Sequence, residues 1–325
     1  MEFQLPISLP PLPVPIRYGE KVLLTGSCFT EHIGNALGEW KFDVLQNPNG
    51  ILFDPASVAS SLISYIRPEE YTDQDLFFLN EVWQSWRHHS IFSNMDRAAA
   101  VAGINASQRQ AHAFLKRADW LIITLGSAFS YRLADSGVAV ANCHRAPAQG
   151  FRKHLMAIEE IHAVFDSCLY QLFNFNPGLK VLFTISPVRH IRDGVVDNNR
   201  SKARLIEAVH HLVNKFDRIW YFPAYELVID VLRDYRFYDV DMVHPNYPAT
   251  QFVLEKFIHQ CLDADARELL EEVKKIVIAR KHKPFQPATL AHQRFLAEQY
   301  SRAVALAARY PFLNLTEEID YFSGK

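Results

Sequence analysis

Short apolar runs separated by stretches of helical periodicity constrain this chain more than anything else in it. KVLLT (21–25), FDVL (42–45), DWLIITLG (119–126), KVLFTIS (180–186) and RIWYFP (218–223) are apolar at consecutive positions, the pattern of strands covered on both faces. Ahead of the fourth run, Leu155, Ile158, Ile161, Phe165, Cys168 and Leu172 recur at helical spacing, and Leu205, Val209, Leu212 and Phe216 do so between the fourth and fifth. Asp54-Pro55 reads as an N-cap and a first-turn proline for a helix over 55–66. Such alternation predicts an α/β chain: a five-stranded parallel sheet with helices on both faces, joined by right-handed crossovers, with ligands at the carboxyl ends of the strands.

Two stretches depart from the pattern. Residues 74–95 read as a hairpin-like insertion, and 129–144 as two strands around an Asp135-Ser136-Gly137 turn. From about residue 264 the chain is helical, with alternating charge and apolar stripes, so 263–325 is expected to pack on the core or on a second copy as a homo-oligomer contact. The proline-rich lead, 1–19, reads as extended and superficial, leaving 20–262 as the main domain. With five prolines in its first twenty residues and no basic start before an apolar run, the N-terminus predicts no signal peptide. No apolar run approaches the roughly 18 residues needed to span a bilayer, so no membrane is expected as a partner. Cys28, Cys143, Cys168 and Cys261 make no CxxC pair, which fits reduced thiols and a cytoplasmic location. A net charge of −2 gives no electrostatic footprint for nucleic acid.

Chemistry concentrates in two segments. KVLLTGSCFTEH (21–32) passes from strand to helix through Gly-Ser-Cys, which places Ser27 at the open edge of the sheet beside helix-start N–H groups that can stabilise an oxyanion. Read alone, the same serine is a helix cap. Cys28 is the competing nucleophile, because a helix start lowers a thiol pKa; its side chain would project about 100° away from that of Ser27. In YDVDMVHPNYPAT (238–250), Asp241 and His244 are three apart, so one turn can set the carboxylate on one ring nitrogen and leave the other facing outward. Pro245 keeps His244 out of helical geometry, and Asn246 with Pro248 offers a helix start beyond. An isolated DxxH also describes an ordinary polar loop.

Other histidines compete. RHHS (87–90) and NCHR (142–145), taken with Asp241 and His244, could be drawn as a metal site, but neighbouring His88 and His89 diverge on a strand and no HxH or HxxxH spacing helps. No metal and no cofactor are therefore expected. His89, Ser90 and His144 read as pocket lining. SPVRHIRDG ends the fourth strand, which brings Arg189 and His190 to the same edge, where Arg189 clamps either a substrate anion or a structural carboxylate. Trp83, Trp86 and Phe92 read as a sugar-stacking wall or as core.

Gly-Ser after the first strand, with Asp-x-x-His before the last core helix, resembles the SGNH (GDSL-like) hydrolase superfamily. GSCFTEH is similar to the signature of the GSCFA family, with Thr30 in place of its alanine. NPNGILFDP (47–55), WQSWRHHSIFS (83–93), TLGSAFSY (124–131), VANCHR (140–145), SPVRH (186–190) and DMVHPN (241–246) resemble further segments of that family, over residues 20–262. The resemblance implies a three-layer α/β/α sandwich of the SGNH/flavodoxin-like kind, with Ser27 as nucleophile, His244 as general base and Asp241 orienting it. It also implies an oxyanion hole built from the N–H groups of Ser27 and Gly50. The asparagine that the superfamily carries after its third strand is absent: Ser127-Ala128-Phe129 stands there, leaving Ser127, Asn142 or another loop as third donor. The implied activity is that of a serine esterase or O-acyltransferase acting on a small-molecule or carbohydrate ester. A non-catalytic binding module with the same pocket, and a metal-dependent hydrolase, are the competing readings.

Overall fold

The computed structural model describes residues 5–324; the first four residues of the proline-rich lead lie outside the described residues. In chain order the elements are β1 (Lys21–Gly26), α1 (Phe29–Glu39), β2 (Asp43–Gln46), α2 (Pro55–Ile66), β3 (Phe77–Leu79), β4 (Val82–Gln84), α3 (Arg97–Leu115) and β5 (Trp120–Leu125). There follow β6 (Phe129–Leu133), β7 (Ala139–Val140), β8 (Phe151–Leu155), α4 (Ile158–Phe175), β9 (Lys180–Ile185), α5 (Val195–Lys215) and β10 (Ile219–Phe222). A short α6 (Ala224–Glu226) runs into a π-helical Leu227–Leu232, and α7 (Tyr247–Cys261), α8 (Ala264–Lys281), α9 (Leu290–Arg309) and α10 (Thr316–Ser323) complete the described chain. Among the described residues two compact units result, one of residues 5–8, 21–34 and 45–255, the other of 9–20, 35–44 and 256–324.

The first unit holds a five-stranded sheet in the order β2-β1-β5-β9-β10. Its pairs β1/β5, β5/β9 and β9/β10 are parallel, with Gly26 opposite Thr124 and Leu125 opposite Ile185 at the carboxyl ends. Consecutive apolar residues are what a sheet covered twice requires. Leu23, Leu121, Ile123, Val181 and Phe183 point into a core filled by Val58, Leu62, Phe165, Leu169, Leu205 and Val209 from α2, α4 and α5. Val22, Leu24, Trp120, Ile122 and Leu182, of opposite parity, are buried as well. Helix α2 begins where the sequence puts it, because Asp54 Oδ1 accepts the Ser57 N–H at 3.0 Å and Pro55 follows.

The order of the strands decides where a site can form. The chain leaves β1 for β2 on one side and returns to β5 on the other, so the β1/β5 seam is the switch point at which ligands of doubly wound sheets bind. The insertion at 74–95 is the antiparallel pair β3/β4, and β6 pairs with β7 around the predicted turn. A third strand, β8, joins β6 on its other edge. Its sequence FRKHL carries three exposed polar residues in a row, so apolar periodicity could not reveal it.

In the second unit, α8, α9 and α10 pack around Val273, Ile276, Ala303, Leu306 and Phe322, with Tyr18 and Trp40 against them. Glu318, fully buried, receives Lys41 Nζ at 2.9 Å and Arg280 Nε at 3.2 Å. The described part of the proline-rich lead is mostly exposed but anchored at Ile16, which is buried and donates its N–H to Cys261 O at 2.7 Å. Among the described residues no helix is long and apolar enough to cross a membrane.

Candidate active site

Everything at the switch point turns on two glycines of β1 and β5 and on the segment that crosses between them. Gly26 adopts φ +137°, and a Cβ there would collide with the Thr124 carbonyl oxygen, so the strand can leave the sheet at this point only through glycine. Its N–H is taken by Asn47 Oδ1 at 3.0 Å. Ser27 then donates its N–H to Thr124 O at 3.0 Å and accepts from Thr30 N at 2.9 Å, which starts α1. After β2 the chain turns at Asn47 and Gly50, both at positive φ, with Gly50 N–H on Asn47 O at 2.7 Å. It then crosses the seam: Leu52 N–H bonds Gly26 O at 2.9 Å, and Phe53 O accepts from both Gly126 and Ser127, at 2.8 and 3.0 Å.

Ser27 is 1% exposed, and its Oγ has no hydrogen-bond partner. A buried hydroxyl without a partner carries a desolvation cost and calls for a reason. Cys28 does not have the lowered pKa that a helix start alone would give it. Burial first, and Glu31 second, raise its pKa, outweighing the helix-start N–H of Phe29 that pulls it down. The thiol stays protonated, and the serine is left as the nucleophile candidate at this turn.

The DxxH segment folds into a tight turn between the π-helical stretch and α7. Asp241 Oδ1 takes the N–H groups of Val243 and His244 at 2.9 and 3.0 Å, and Oδ2 meets His244 Nδ1 at 2.6 Å. The His244 N–H first, the imidazole second and the Val243 N–H third hold the carboxyl at about 2. Asn246 Oδ1 accepts Ala249 N–H at 3.3 Å, capping α7. The His244 side chain is 49% exposed and acts electrostatically on both His32 and His190. His190 is the link to the seam, because its Nε2 and Ser27 Cβ lie within 3.4 Å of one point, the place of a Cβ on Gly126. The hydrogen bond from Ser27 Oγ to His244 is not made in this structure; such bonds are often long before substrate arrives.

The remaining candidates separate. His89 packs against Gly50, whose open side it fills, and its N–H bonds Asn49 O at 2.9 Å. Ser90 is exposed at the start of a 3-10 turn. Asn142 Oδ1 holds the His144 N–H at 2.9 Å within its own loop, and His144 Nε2 lies 2.8 Å from Ser85 O, which ties that loop to the segment after β4. Ser127 faces inward, its Oγ on Phe129 N–H at 3.1 Å and near Ser201 Oγ at 3.3 Å. The Arg189 guanidinium sits 4.2 Å from the Tyr238 ring and reaches Met242 O, which steadies the DxxH turn from outside. Trp83 and Phe92 pack on Tyr71, Leu76 and Ile104 as core. Among the described residues no group of three or more His, Cys, Asp or Glu side chains is placed to hold a metal ion.

The model of the GSCFA family matches residues 21–257, which takes in every candidate residue from Ser27 to His244. The chain belongs to the GSCFA family. A second model, the C-terminal domain of GSCFA domain proteins, matches residues 273–325, within the helical unit. A search of curated proteins gave no match. Among solved structures, this GSCFA protein is similar to a carbohydrate esterase family 3 protein from Talaromyces cellulolyticus, with a TM-score of 0.36 and 10% identity over 79% of this chain and 99% of that one. It is also similar to the acetyl xylan esterase Est2A from the rumen bacterium Butyrivibrio proteoclasticus, with a TM-score of 0.36 and 12% identity over 76% of this chain and 64% of that one.

What sequence reasoning missed in this GSCFA chain is the polar end of α5. Asn198, Ser201 and Lys202 are buried there, in register with Leu205, Ala208, Val209 and Leu212. Asn198 Oδ1 takes His190 N–H at 2.9 Å, Ser201 Oγ takes Ala128 N–H at 2.7 Å, and Lys202 Nζ donates to Gly126 O and Ser186 O at 2.7 and 2.6 Å. One helix end thus fixes the two segments that follow β5 and β9. Burial pushes the Lys202 ammonium down to about 7, and burial together with Lys202 holds His190 at about 4. The signal was available: polar residues that continue an apolar stripe are buried unless the helix ends.

Proposed function

We propose that this chain is a serine-dependent acyl hydrolase, or an acyltransferase sharing its first half-reaction, acting on an ester through Ser27, His244 and Asp241. The observation that carries the reading is the 2.6 Å contact of Asp241 Oδ2 with His244 Nδ1, which leaves Nε2 available as a base, in a chain whose Ser27 hydroxyl is buried without a partner. In the first step His244 Nε2 takes the Ser27 proton while Oγ bonds the ester carbonyl carbon, whose π pair moves to oxygen. Collapse of that oxyanion expels the alcohol, which takes the proton back from His244. Water, or an acceptor hydroxyl, then repeats the sequence on the acyl-serine. Asp241 stays ionised throughout and steadies the imidazolium. The superfamily resemblance favours a carbohydrate O-acyl group as substrate.

The second reading, a binding module without turnover, is favoured by one observation: the Ser27 and Gly50 N–H groups are bonded to Thr124 O and Asn47 O, not directed at an open site. A fluorophosphonate probe decides between them. The enzyme labels stoichiometrically, loses labelling in Ser27→Ala and keeps it in Cys28→Ala. A native protein that does not label is the module.

A further inference from the structure

A carbonyl carbon bonded to Ser27 Oγ would lie near Gly126. An acyl carbon on Ser27 Oγ is two bonds from Ser27 Cβ, and a Cβ built on Gly126 would lie 3.2 Å from Ser27 Cβ, 3.2 Å from Phe53 Cδ1 and 3.4 Å from His190 Nε2. The point beside Gly126 is therefore closely bounded by the Ser27 side chain, an aromatic edge and one ring nitrogen. The backbone donors around it have partners: Ser27 N–H on Thr124 O, Gly50 N–H on Asn47 O, and Ser127 N–H on Phe53 O. His190 Nε2, by contrast, is buried and has none. Its ring is held in place, with its backbone N–H on Asn198 Oδ1 at 2.9 Å and its edge against Phe53 at 5.6 Å between centroids. A fixed, buried polar atom of this kind, beside a candidate nucleophile, calls for a functional reason.

We propose that His190 donates its Nε2–H to the oxyanion formed on the substrate carbonyl as Ser27 attacks, so that a side chain supplies the donor missing after β5. The inference rests on Ser27 being the nucleophile. No proton leaves His190 in the cycle: the carbonyl π pair moves onto oxygen, the N–H bonds that oxygen, and the pair returns when the leaving group departs. Burial and the neighbouring Lys202 ammonium keep the ring neutral, with one N–H and one lone pair, whereas the His244 ring has the Asp241 carboxylate on its Nδ1. The two imidazoles are thereby divided into a donor and a base.

The test uses the full chain with p-nitrophenyl acetate as probe and fluorophosphonate labelling as the control for Ser27. His190→Ala should lower kcat roughly 100-fold with little change in KM and unchanged labelling stoichiometry, and His190→Gln, which restores a side-chain N–H, should regain about tenfold. Should His190→Ala not fold, His190→Leu, nearer in volume, takes its place. Activity of the alanine or leucine variant within about threefold of wild type overturns the assignment. So does a glutamine variant as inactive as the alanine one, which would make His190 a base. Absence of labelling in the wild-type protein removes the Ser27 reading and this inference with it, whereas normal labelling with unchanged kinetics removes this inference alone.

Discussion

Asp241 holds His244 in two ways at once: Oδ2 meets the imidazole Nδ1 at 2.6 Å, while Oδ1 binds the His244 N–H at 3.0 Å and the Val243 N–H at 2.9 Å. Ring orientation and backbone turn thus depend on one carboxylate. Asp241→Asn should lower kcat by about 10²- to 10⁴-fold, since the amide can favour the wrong tautomer. Its folded pKa lies below the ordinary value of 3.8, so what it contributes to stability is present above that pH and is lost as pH falls through about 2. At pH 7 the asparagine variant should therefore melt below wild type, and the difference between the two should shrink as pH falls from 4 towards 2. Equal kcat values in a steady-state assay would remove Asp241 from the mechanism.

Lys202 predicts an alkaline effect on stability. An unfolded lysine titrates near 10.5 and this one at about 7, so between those values the unfolded chain binds the extra proton and stability rises with pH. Urea midpoints taken from pH 7 to 9 should climb more steeply in wild type than in Lys202→Met, which also loses the bonds to Gly126 O and Ser186 O. Parallel slopes would mean that the ammonium is better solvated than its surroundings indicate.

The two switch-point glycines should fail differently. Gly26→Ala forces a side chain onto the Thr124 carbonyl at φ +137° and should cost roughly 3 kcal/mol or more, read as a lowered Tm or loss of soluble protein. Gly126→Ala meets Ser27, Phe53 and His190 at 3.2–3.4 Å, which small shifts can relieve. It should therefore fold, with a stability change of about 1 kcal/mol, while filling the carbonyl space and lowering kcat/KM by about tenfold or more. An active Gly126→Ala would place the reaction elsewhere.

Cys28 should prove a bystander. Its pKa is raised by burial and by Glu31, so iodoacetamide at pH 7 should modify it slowly, and Cys28→Ala should keep kcat within about threefold of wild type. Rapid alkylation that abolishes activity would reverse the choice between thiol and hydroxyl.

Much of the fold was legible because its strands are apolar on both faces and its helices are not. Helix α2 was fixed by Asp54 and Pro55, and the five sheet strands by runs that only a doubly covered sheet needs. Strand β8 escaped because RKH faces solvent, and periodicity reports burial rather than backbone pairing. At the site, spacing alone indicated that Asp241 could reach His244. The inward turn of Ser127 and the bracing of His144 on Ser85 O were not legible, because both depend on where an unrelated carbonyl or hydroxyl ends up. Lys202 was overlooked since a lysine in a helix ordinarily signals solvent.

The crossing of Leu52 and Phe53 over the seam bears on how the pocket can vary. Because Leu52 N–H is on Gly26 O, and Phe53 O collects the N–H groups of both Gly126 and Ser127, the floor is an extension of the sheet and not a loop laid across it. In deuterium exchange these three amides should open with the strands, among the slowest in the chain, while those of the exposed DxxH turn exchange early. Evolution of a new specificity would then proceed by remodelling the walls above an unyielding base.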